Sequence, residues 1–245
     1  MTVKSAYVDG ARAVRSALAT TGALPALDRW AQASRTGTWA RSLLSIHDVD
    51  ELVALDVPWW TFDAAALVDA FLAGRRSARV LEWGSGASTV WLARRAGSVV
   101  AVEHDEQWAG RVRALLDRNP TGVRADVEVR TVVPTPATGA PGEVLSVKPG
   151  ATGADFQRYV AVIDEVGGAF DLIVVDGRAR AACLARALPH LAADGVLVVD
   201  NVERRRYREA IADLAPTMAL TWTRGITPGL PYPTRTALLR PRPTR

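Results

Sequence analysis

The stretch that decides the fold lies between Val80 and Thr89 and reads Val-Leu-Glu-Trp-Gly-Ser-Gly-Ala-Ser-Thr. The apolar residues at its start predict a strand that is buried on both faces. Gly84 and Gly86 then allow a tight turn in which the backbone can come close to a ligand. The residues that follow open a helix, whose first N–H groups are available to an anion. The stretch therefore predicts a ligand at the carboxyl end of the first strand of an α/β sheet.

Outward from this stretch, short apolar strands alternate with helices. The predicted strands are 79–83, 98–103, 126–132, 170–176 and 195–200, and the predicted helices are 62–72, 88–95, 106–118, 155–166, 179–191 and 202–214. Alternation of this length predicts a parallel sheet with right-handed crossovers. Residues 219–224 and 234–239 are joined by a Gly- and Pro-rich loop with no room for a helix, so they predict an antiparallel hairpin at the sheet edge.

The first part of the chain has a different pattern. Residues 1–57 carry apolar residues at helical spacing and no extended strand pattern, and the pattern changes after Pro58. We therefore expect an N-terminal helical cap or lid at 1–57 and an α/β domain at 58–245. Residues 134–153 are rich in Pro, Gly, Thr and Ala, which predicts a mobile loop.

Composition and charge narrow the function classes. The chain has 245 residues with a net charge of +4, and its basic residues are nearly all Arg, scattered among acids. This distribution favours a solvated basic surface over nucleic-acid binding. The single cysteine, Cys183, excludes an internal disulfide and a cysteine-cluster metal site. The sequence lacks an apolar run of membrane-spanning length and a signal-peptide pattern, so we expect a cytoplasmic protein that does not enter membranes.

Three details indicate which ligand the Gly-rich turn binds. Glu82 stands two residues before the first glycine, where it can meet an ammonium group. Ser88-Thr89 stands where a dinucleotide-binding turn carries its third glycine. Glu103 ends the next strand at the spacing of a ribose-binding carboxylate. A ligand with a ribose diol and a cation fits this pattern; a dehydrogenase that binds NAD, or acids that merely cap and solvate strand ends, are the alternatives.

With these residues the sequence resembles the class I S-adenosylmethionine-dependent methyltransferases, over about residues 58–240. Their motif is acid-x-Gly-x-Gly, an acid at the end of the second strand and a closing antiparallel strand. The resemblance implies a Rossmann-like, doubly wound seven-stranded sheet of order 3-2-1-4-5-7-6 with the last strand antiparallel. It also implies the following cofactor contacts: Gly84, Ser85 and Gly86 along the methionine part, Glu82 near its amino group, Ser88 at its carboxylate, Glu103 on the ribose, and His104 or Trp108 beside the adenine. We add Thr61, a predicted helix N-cap, and Asp176 to this cofactor group.

Polar residues also end the fourth and fifth predicted strands. Asp176 follows one strand, and Asp200-Asn201 follows the other, at the same sheet edge as Glu82 and Glu103. Two carboxylates and an amide oxygen would suit Mg²⁺, which could lower the pKa of an acceptor hydroxyl. Alternatively, Asp200 opens a helix-capping box worth about 1 kcal/mol to the fold. Without a metal, Asp176 or His47 is the candidate general base.

This second pattern resembles the metal-dependent O-methyltransferases of the catechol and macrocin types, in which an Asp ends the fourth strand and an Asp-Asn pair ends the fifth. Asp176, Asp200 and Asn201 match by position. The chain departs from that pattern after Asp176, because Arg178 and Arg180 stand where those enzymes often carry a lysine base, and the connecting segment is shorter.

The resemblances together imply methyl transfer from S-adenosylmethionine to a small molecule, with a hydroxyl of a sugar or secondary metabolite as the expected acceptor. Mg²⁺ assistance and homodimer formation are left open. The alternatives are a metal-independent N-methyltransferase, a nucleic-acid methyltransferase and a non-catalytic protein that binds the cofactor. The Asp176-Gly-Arg sequence stands against the nucleic-acid enzyme, because that class carries an Asn/Asp-Pro-Pro-Tyr/Phe motif at this point.

Overall fold

The computed structural model describes residues 3–45, 48–146 and 151–242. Its centre is a seven-stranded sheet with the strands, numbered along the chain, in the order β3-β2-β1-β4-β5-β7-β6. The strands are β1 (Arg79–Trp83), β2 (Ser98–Glu103), β3 (Asp126–Thr131), β4 (Phe170–Val175), β5 (Leu191–Asp200), β6 (Met218–Thr227) and β7 (Leu230–Pro241). The first five pair in parallel, and β7 runs antiparallel to β5 and to β6. The predicted fold class, strand order and antiparallel last strand are confirmed.

Helices cover both faces of this sheet. They are α1 (Val3–Thr20), α2 (Leu24–Ala33), α3 (Arg35–Ser42), α4 (Val49–Ala54), α5 (Phe62–Ala73), α6 (Ala87–Ala93), α7 (Glu106–Arg118), α8 (Gln157–Val166), α9 (Arg180–Ala187) and α10 (Arg205–Ala212). Buried side chains of α5, α6 and α7 pack on one face of the sheet, and those of α8, α9 and α10 pack on the other. None of the helices in the described residues is both long and apolar enough to cross a bilayer.

The central strands are apolar on both faces because both faces are covered. In β1, Leu81 points into the core beneath α8 and α9, whereas Val80 points into the core beneath α5 and α6. In β4, Ile173 and Leu172 alternate in the same way. Each such side chain contributes about 1.5–3 kcal/mol by leaving water. The carboxyl ends of β1 and β4 are therefore fixed side by side.

The N-terminal helices are held together by a buried arginine. Arg41 in α3 is 6% exposed, and its guanidinium pairs with Asp28 of α2 at 2.7 Å and with Glu51 of α4 at 2.5 Å. The helical pattern expected over residues 1–57 did not mark α3 as a separate helix. This helix depends on Gly37, at which a Cβ would overlap the backbone of Trp30 in α2. A glycine that lowers helix propensity here permits the two helices to approach closely.

These helices reach from α6 to the β6–β7 hairpin. Leu52 and Val53 of α4 pack with Val90 of α6. At the other end, the Trp39 indole N–H donates to Leu230 O at 2.8 Å, and the Gly229 N–H donates to Ser42 Oγ at 2.9 Å. The segment that precedes α5 thus lies against two elements that flank the carboxyl edge of the sheet.

The Pro- and Gly-rich stretch after β3 has more local structure than its composition predicts. Thr135–Pro136 and Ala154–Asp155 form a two-residue antiparallel pair. Between them, Glu143 accepts hydrogen bonds from the backbone N–H of Thr138 at 2.6 Å and of Gly139 at 3.0 Å. Side-chain carboxylates on backbone donors create this order, and such contacts leave no periodic pattern in the sequence.

Candidate functional site

The Gly-rich turn connects β1 to α6. Gly84 has a φ of 107°, a conformation that costs glycine little. Its N–H donates to Val102 O at 2.9 Å, which ties the turn to β2. The Gly86 N–H donates to Oγ1 of Thr89 at 2.9 Å and so closes the first turn of α6. These hydrogen bonds fix the turn at the carboxyl end of β1.

Glu82 lies fully buried beneath this turn. One carboxyl oxygen accepts a hydrogen bond from Ser88 Oγ, and the other accepts one from Thr89 Oγ1 at 2.7 Å. Burial raises the pKa of Glu82 to about 8, because desolvation outweighs the two hydroxyl donors. An ammonium group beside Glu82 would favour its ionised form again. Ser88, which we predicted at a ligand carboxylate, is here engaged with Glu82.

Glu103 is held at the end of β2 by the loop that follows it. Its Oε1 accepts from the backbone N–H groups of His104 at 2.8 Å and Asp105 at 3.0 Å. Its Oε2 accepts from Ser85 Oγ at 2.9 Å, which joins the carboxylate to the Gly-rich turn. Burial alone would raise the pKa of Glu103, but His104, the Asp105 N–H and Ser85 together lower it below its usual value. The site thus holds an ionised acceptor suited to a diol.

The two residues predicted beside the adenine lie on opposite sides of Glu103. The Trp108 indole N–H donates to Ser85 O at 2.8 Å, and its ring lies next to Gly86. The His104 ring turns toward α8, where its centroid is 5.8 Å from that of Phe156, and its Nδ1 approaches Glu103 Oε1 at 2.5 Å. Trp108 therefore borders the turn, and His104 borders the carboxylate.

The exit of β4 touches the exit of β1. The N–H groups of Asp176 and Gly177 both donate to Trp83 O, at 2.9 and 2.6 Å. A Cβ on Gly177 would come within 2.9 Å of Gly84 N and would overlap the hydroxyl of Tyr159. Only a glycine fits this point, so Asp176 is placed directly beside the Gly-rich turn.

The predicted metal ligands are engaged in other contacts. Asp176 Oδ1 forms a 2.8 Å ion pair with Arg180, which stands four residues later. Asp200 is 1% exposed; its Oδ1 accepts from Thr236 Oγ1 at 2.6 Å, and its Oδ2 accepts from the Asn201 amide. Burial and the charge of Asp176 raise the pKa of Asp200 well above its usual value. As arranged, these side chains do not fit a divalent cation, and the described residues hold no cluster of three or more His, Cys, Asp or Glu that could bind a metal.

One further predicted residue, Thr61, lies apart from the turn. Thr61 caps α5 and contacts Thr223 Oγ1 at 2.6 Å and Thr236 on β7. In the sheet order β7 is three strands from β1, about 14 Å away at ordinary strand spacing. Thr61 is therefore not brought to the cofactor turn. His47, the second candidate base, lies outside the described residues.

The sequence analysis assigned no role to several residues that shape this edge. Arg180 was noted only as standing in place of a lysine, yet its guanidinium connects the ends of β4 and β5. Thr236 contacts Asp200 across 36 residues of sequence. Gly177 could have been found from its place after a strand-ending acid. The other two contacts depend on tertiary packing, for which a single sequence carries no signal.

Comparison with known proteins bears on the fold and on the class of chemistry. Residues 81–202 match a family model described as a methyltransferase domain, and no curated protein matches the sequence. The fold resembles that of an O-methyltransferase from Bacillus cereus in complex with S-adenosylhomocysteine, with a TM-score of 0.58 at 17% identity over 88% of this chain and 100% of that one. It also resembles the O-methyltransferase TomG of Streptomyces achromogenes, involved in tomaymycin synthesis and crystallised with S-adenosylmethionine, with a TM-score of 0.54 at 20% identity over 82% and 90%.

A third similar structure is a cofactor-bound protein from MTB, with a TM-score of 0.56 at 23% identity over 83% of this chain and 90% of that one. At these identities the structural similarity establishes the fold alone. The family match adds the class of chemistry, and it covers the turn, both acidic strand ends and the exits of β4 and β5. The chain is a class I S-adenosylmethionine-dependent methyltransferase.

Proposed function

We propose that this methyltransferase transfers the methyl group of S-adenosylmethionine to a hydroxyl of a small molecule, such as a sugar or a secondary metabolite. The observation that carries the proposal is the contact between Gly84 and Gly177, which joins the Gly-rich turn to the exit of β4. We infer that Glu103 and Asp176 then flank the same part of the sheet edge, so that a cofactor held by the first presents its methyl group near the second.

The cofactor contacts follow from the charges on the turn side. The buried carboxyl of Glu82 suits the amino group of the methionine part, and the turn 84–86 lies along that part. Glu103 accepts hydrogen bonds from the ribose hydroxyls. One of these hydroxyls replaces the hydroxyl of Ser85 as its donor. Trp108 and His104 border the adenine. A ribose diol on an ionised carboxylate gains about 1.5–3 kcal/mol for each charge-assisted hydrogen bond.

The reaction is an in-line displacement in which the chain mainly positions the reactants. A lone pair of the acceptor oxygen forms the new C–O bond while the C–S bond breaks, and its electron pair stays on sulfur as S-adenosylhomocysteine is released. The hydroxyl proton passes to Asp176. A carboxylate paired with a guanidinium is a weak base, so we expect proton transfer to follow the onset of C–O bond formation, when the hydroxyl has become acidic.

A small acceptor is favoured by what surrounds the edge. Residues 1–57, the proposed cap, contact α6 through Leu52 and Val53. They contact the turn of the β6–β7 hairpin through Trp39 and Ser42. We infer that an acceptor enters between the cap and the sheet edge, which favours a small molecule over a nucleic-acid duplex. The role of TomG in tomaymycin synthesis supports a secondary metabolite as one acceptor class.

The test uses S-adenosylmethionine with a labelled methyl group and a panel of sugars, phenols, amines and RNA. We expect label only in hydroxyl-bearing small molecules, and mass spectrometry locates it on oxygen. Asp176→Asn should lower kcat at least tenfold with S-adenosylhomocysteine affinity retained. Asp194→Asn, an exposed aspartate in β5, is the matched control and should leave both unchanged. Label on nitrogen, or in RNA, would overturn the proposal.

A further inference from the structure

The geometry points to Arg180 as the resident cation of the acceptor edge: its guanidinium takes the position that a divalent cation would need between the ends of β4 and β5, and it holds Asp176 in place without a metal. This inference rests on the proposed methyl transfer at that edge. It concerns a positioning residue, because Arg180 acts on the acceptor through Asp176.

Oxygen atoms from both strand ends surround this guanidinium. Its Nε donates to Gly177 O at 3.0 Å, its Nη2 donates to Asp176 O at 2.5 Å, and its Nη1 donates to Asp200 O. The ion pair with the Asp176 carboxylate adds a fourth oxygen. Carbonyl and carboxylate oxygens are the ligands that a hard divalent cation takes. Here the planar guanidinium of Arg180 binds these oxygens instead, and its side chain is only 11% exposed.

The backbone on both sides is shaped for these contacts. Ala179 and Asn201 each have a φ of 50°, in the left-handed region that residues other than glycine seldom adopt. They follow the ends of β4 and β5 and adjoin the loops whose carbonyls Arg180 binds. Such conformations persist where surrounding contacts compensate for them. The ring of Tyr207 on α10, whose centroid is 5.7 Å from the guanidinium carbon, adds a favourable aromatic contact.

Both acidic side chains at these strand ends are already engaged by other groups of the protein. Asp200 is buried, and both oxygens of its carboxyl are already engaged, one by the Thr236 hydroxyl and the other by the Asn201 amide. The remaining carboxylate, Asp176, is already paired with a permanent positive charge. A divalent cation at this point would meet the guanidinium at close range and would have to displace it, against like-charge repulsion.

A titration of the wild-type protein tests this inference without knowledge of the acceptor. The protein, saturated with S-adenosylhomocysteine, is titrated with millimolar Mn²⁺, which shares the preference of Mg²⁺ for oxygen ligands, and bound Mn²⁺ is followed by electron paramagnetic resonance. We expect no stoichiometric binding. Stoichiometric Mn²⁺ that is lost in both Asp176→Asn and Asp200→Asn would overturn the inference. Failure of the wild-type protein to bind S-adenosylhomocysteine would instead count against the proposed function.

Chemical rescue tests the position of the charge. Arg180→Ala should lower Tm, and millimolar guanidinium should restore part of the loss, whereas NaCl at equal ionic strength should not. Arg186→Ala, at an exposed arginine on the same helix, is the matched control and should show no such response. Arg180→Lys, which keeps the charge but loses the fork, serves if the alanine variant does not fold, and its kcat should fall while S-adenosylhomocysteine affinity is kept. Equal responses of the Arg180 and Arg186 variants, or full kcat in the lysine variant, would overturn the inference.

Discussion

The two halves of the site use their carboxylates differently although they share one sheet edge. At the ends of β1 and β2, Glu82 and Glu103 are held by hydroxyl groups and backbone N–H groups. At the ends of β4 and β5, Asp176 is held by a guanidinium and Asp200 by a hydroxyl and an amide. The pKa of Glu103 is lowered, so this carboxylate keeps its charge, and Glu82 would ionise again beside an ammonium group. The charge of Asp176, in contrast, is balanced by the guanidinium of Arg180. The first half therefore suits a cationic ligand with a diol, and the second suits a neutral acceptor.

The largest expected effect tests the cofactor half of the site, at the ends of β1 and β2. Glu103→Ala removes the acceptor of the ribose hydroxyls, so S-adenosylhomocysteine affinity should fall about 100-fold, equivalent to about 2.7 kcal/mol. Isothermal titration calorimetry measures this loss. Glu106→Ala, at an exposed glutamate in the first turn of α7, should bind like the wild type. Unchanged affinity in the Glu103 variant would remove the proposed distinction between the two halves.

The next effect concerns the point where the halves meet. Gly177→Ala forces a methyl group against the Tyr159 hydroxyl and toward Gly84 N. We expect a loss of about 2 kcal/mol in the free energy of unfolding, as for other overpacked cores. Urea denaturation measures it. Adding Tyr159→Phe removes the hydroxyl and should recover part of the loss, whereas additive destabilisation in the double variant would show that the contact does not limit the approach.

The sequence allowed prediction of those features that depend on local pattern. The sheet order, the turn 84–86 and the acid Glu103 at the end of β2 follow from apolar runs, glycines and strand-end spacing, together with the family resemblance. The N-terminal region shows where local pattern fails. Its helix α3 contains Gly37, and the reason for that glycine, the backbone of Trp30, becomes visible only when α2 and α3 pack.

For the acceptor half of the site, at the ends of β4 and β5, the sequence predicted which acids are present but not which groups they contact. Asp176 and Asp200 stand at the same sheet edge as predicted, yet whether their oxygens face a metal, a guanidinium or a threonine depends on side chains from other elements. Thr236 reaches Asp200 from β7, and Arg180 reaches Asp200 O from α9. A single sequence shows which acids end the strands. Which groups these acids contact depends on how the closing strand and the helices pack.

A third effect sharpens the comparison through pH. In the folded protein Glu82 has a pKa of about 8 against an ordinary value of 4.5, so between these values the folded chain keeps a proton that the unfolded chain releases. The stability associated with this proton is complete below pH 4.5 and is lost as pH rises through about 8. Glu82→Gln cannot ionise and should escape this loss.

Compared with the wild type, the Glu82→Gln variant should therefore gain in relative Tm between pH 5.5 and pH 8.5, with about 2–4 °C expected for each kcal/mol. Saturating S-adenosylhomocysteine should flatten the pH dependence of the wild type, because its amino group stabilises the ionised carboxylate. The same ligand should raise the Tm of the glutamine variant less. If the two proteins lost Tm in parallel across this range, Glu82 would be ionised in the folded chain, and its carboxylate would resemble that of Glu103 rather than the buried acid of the acceptor half.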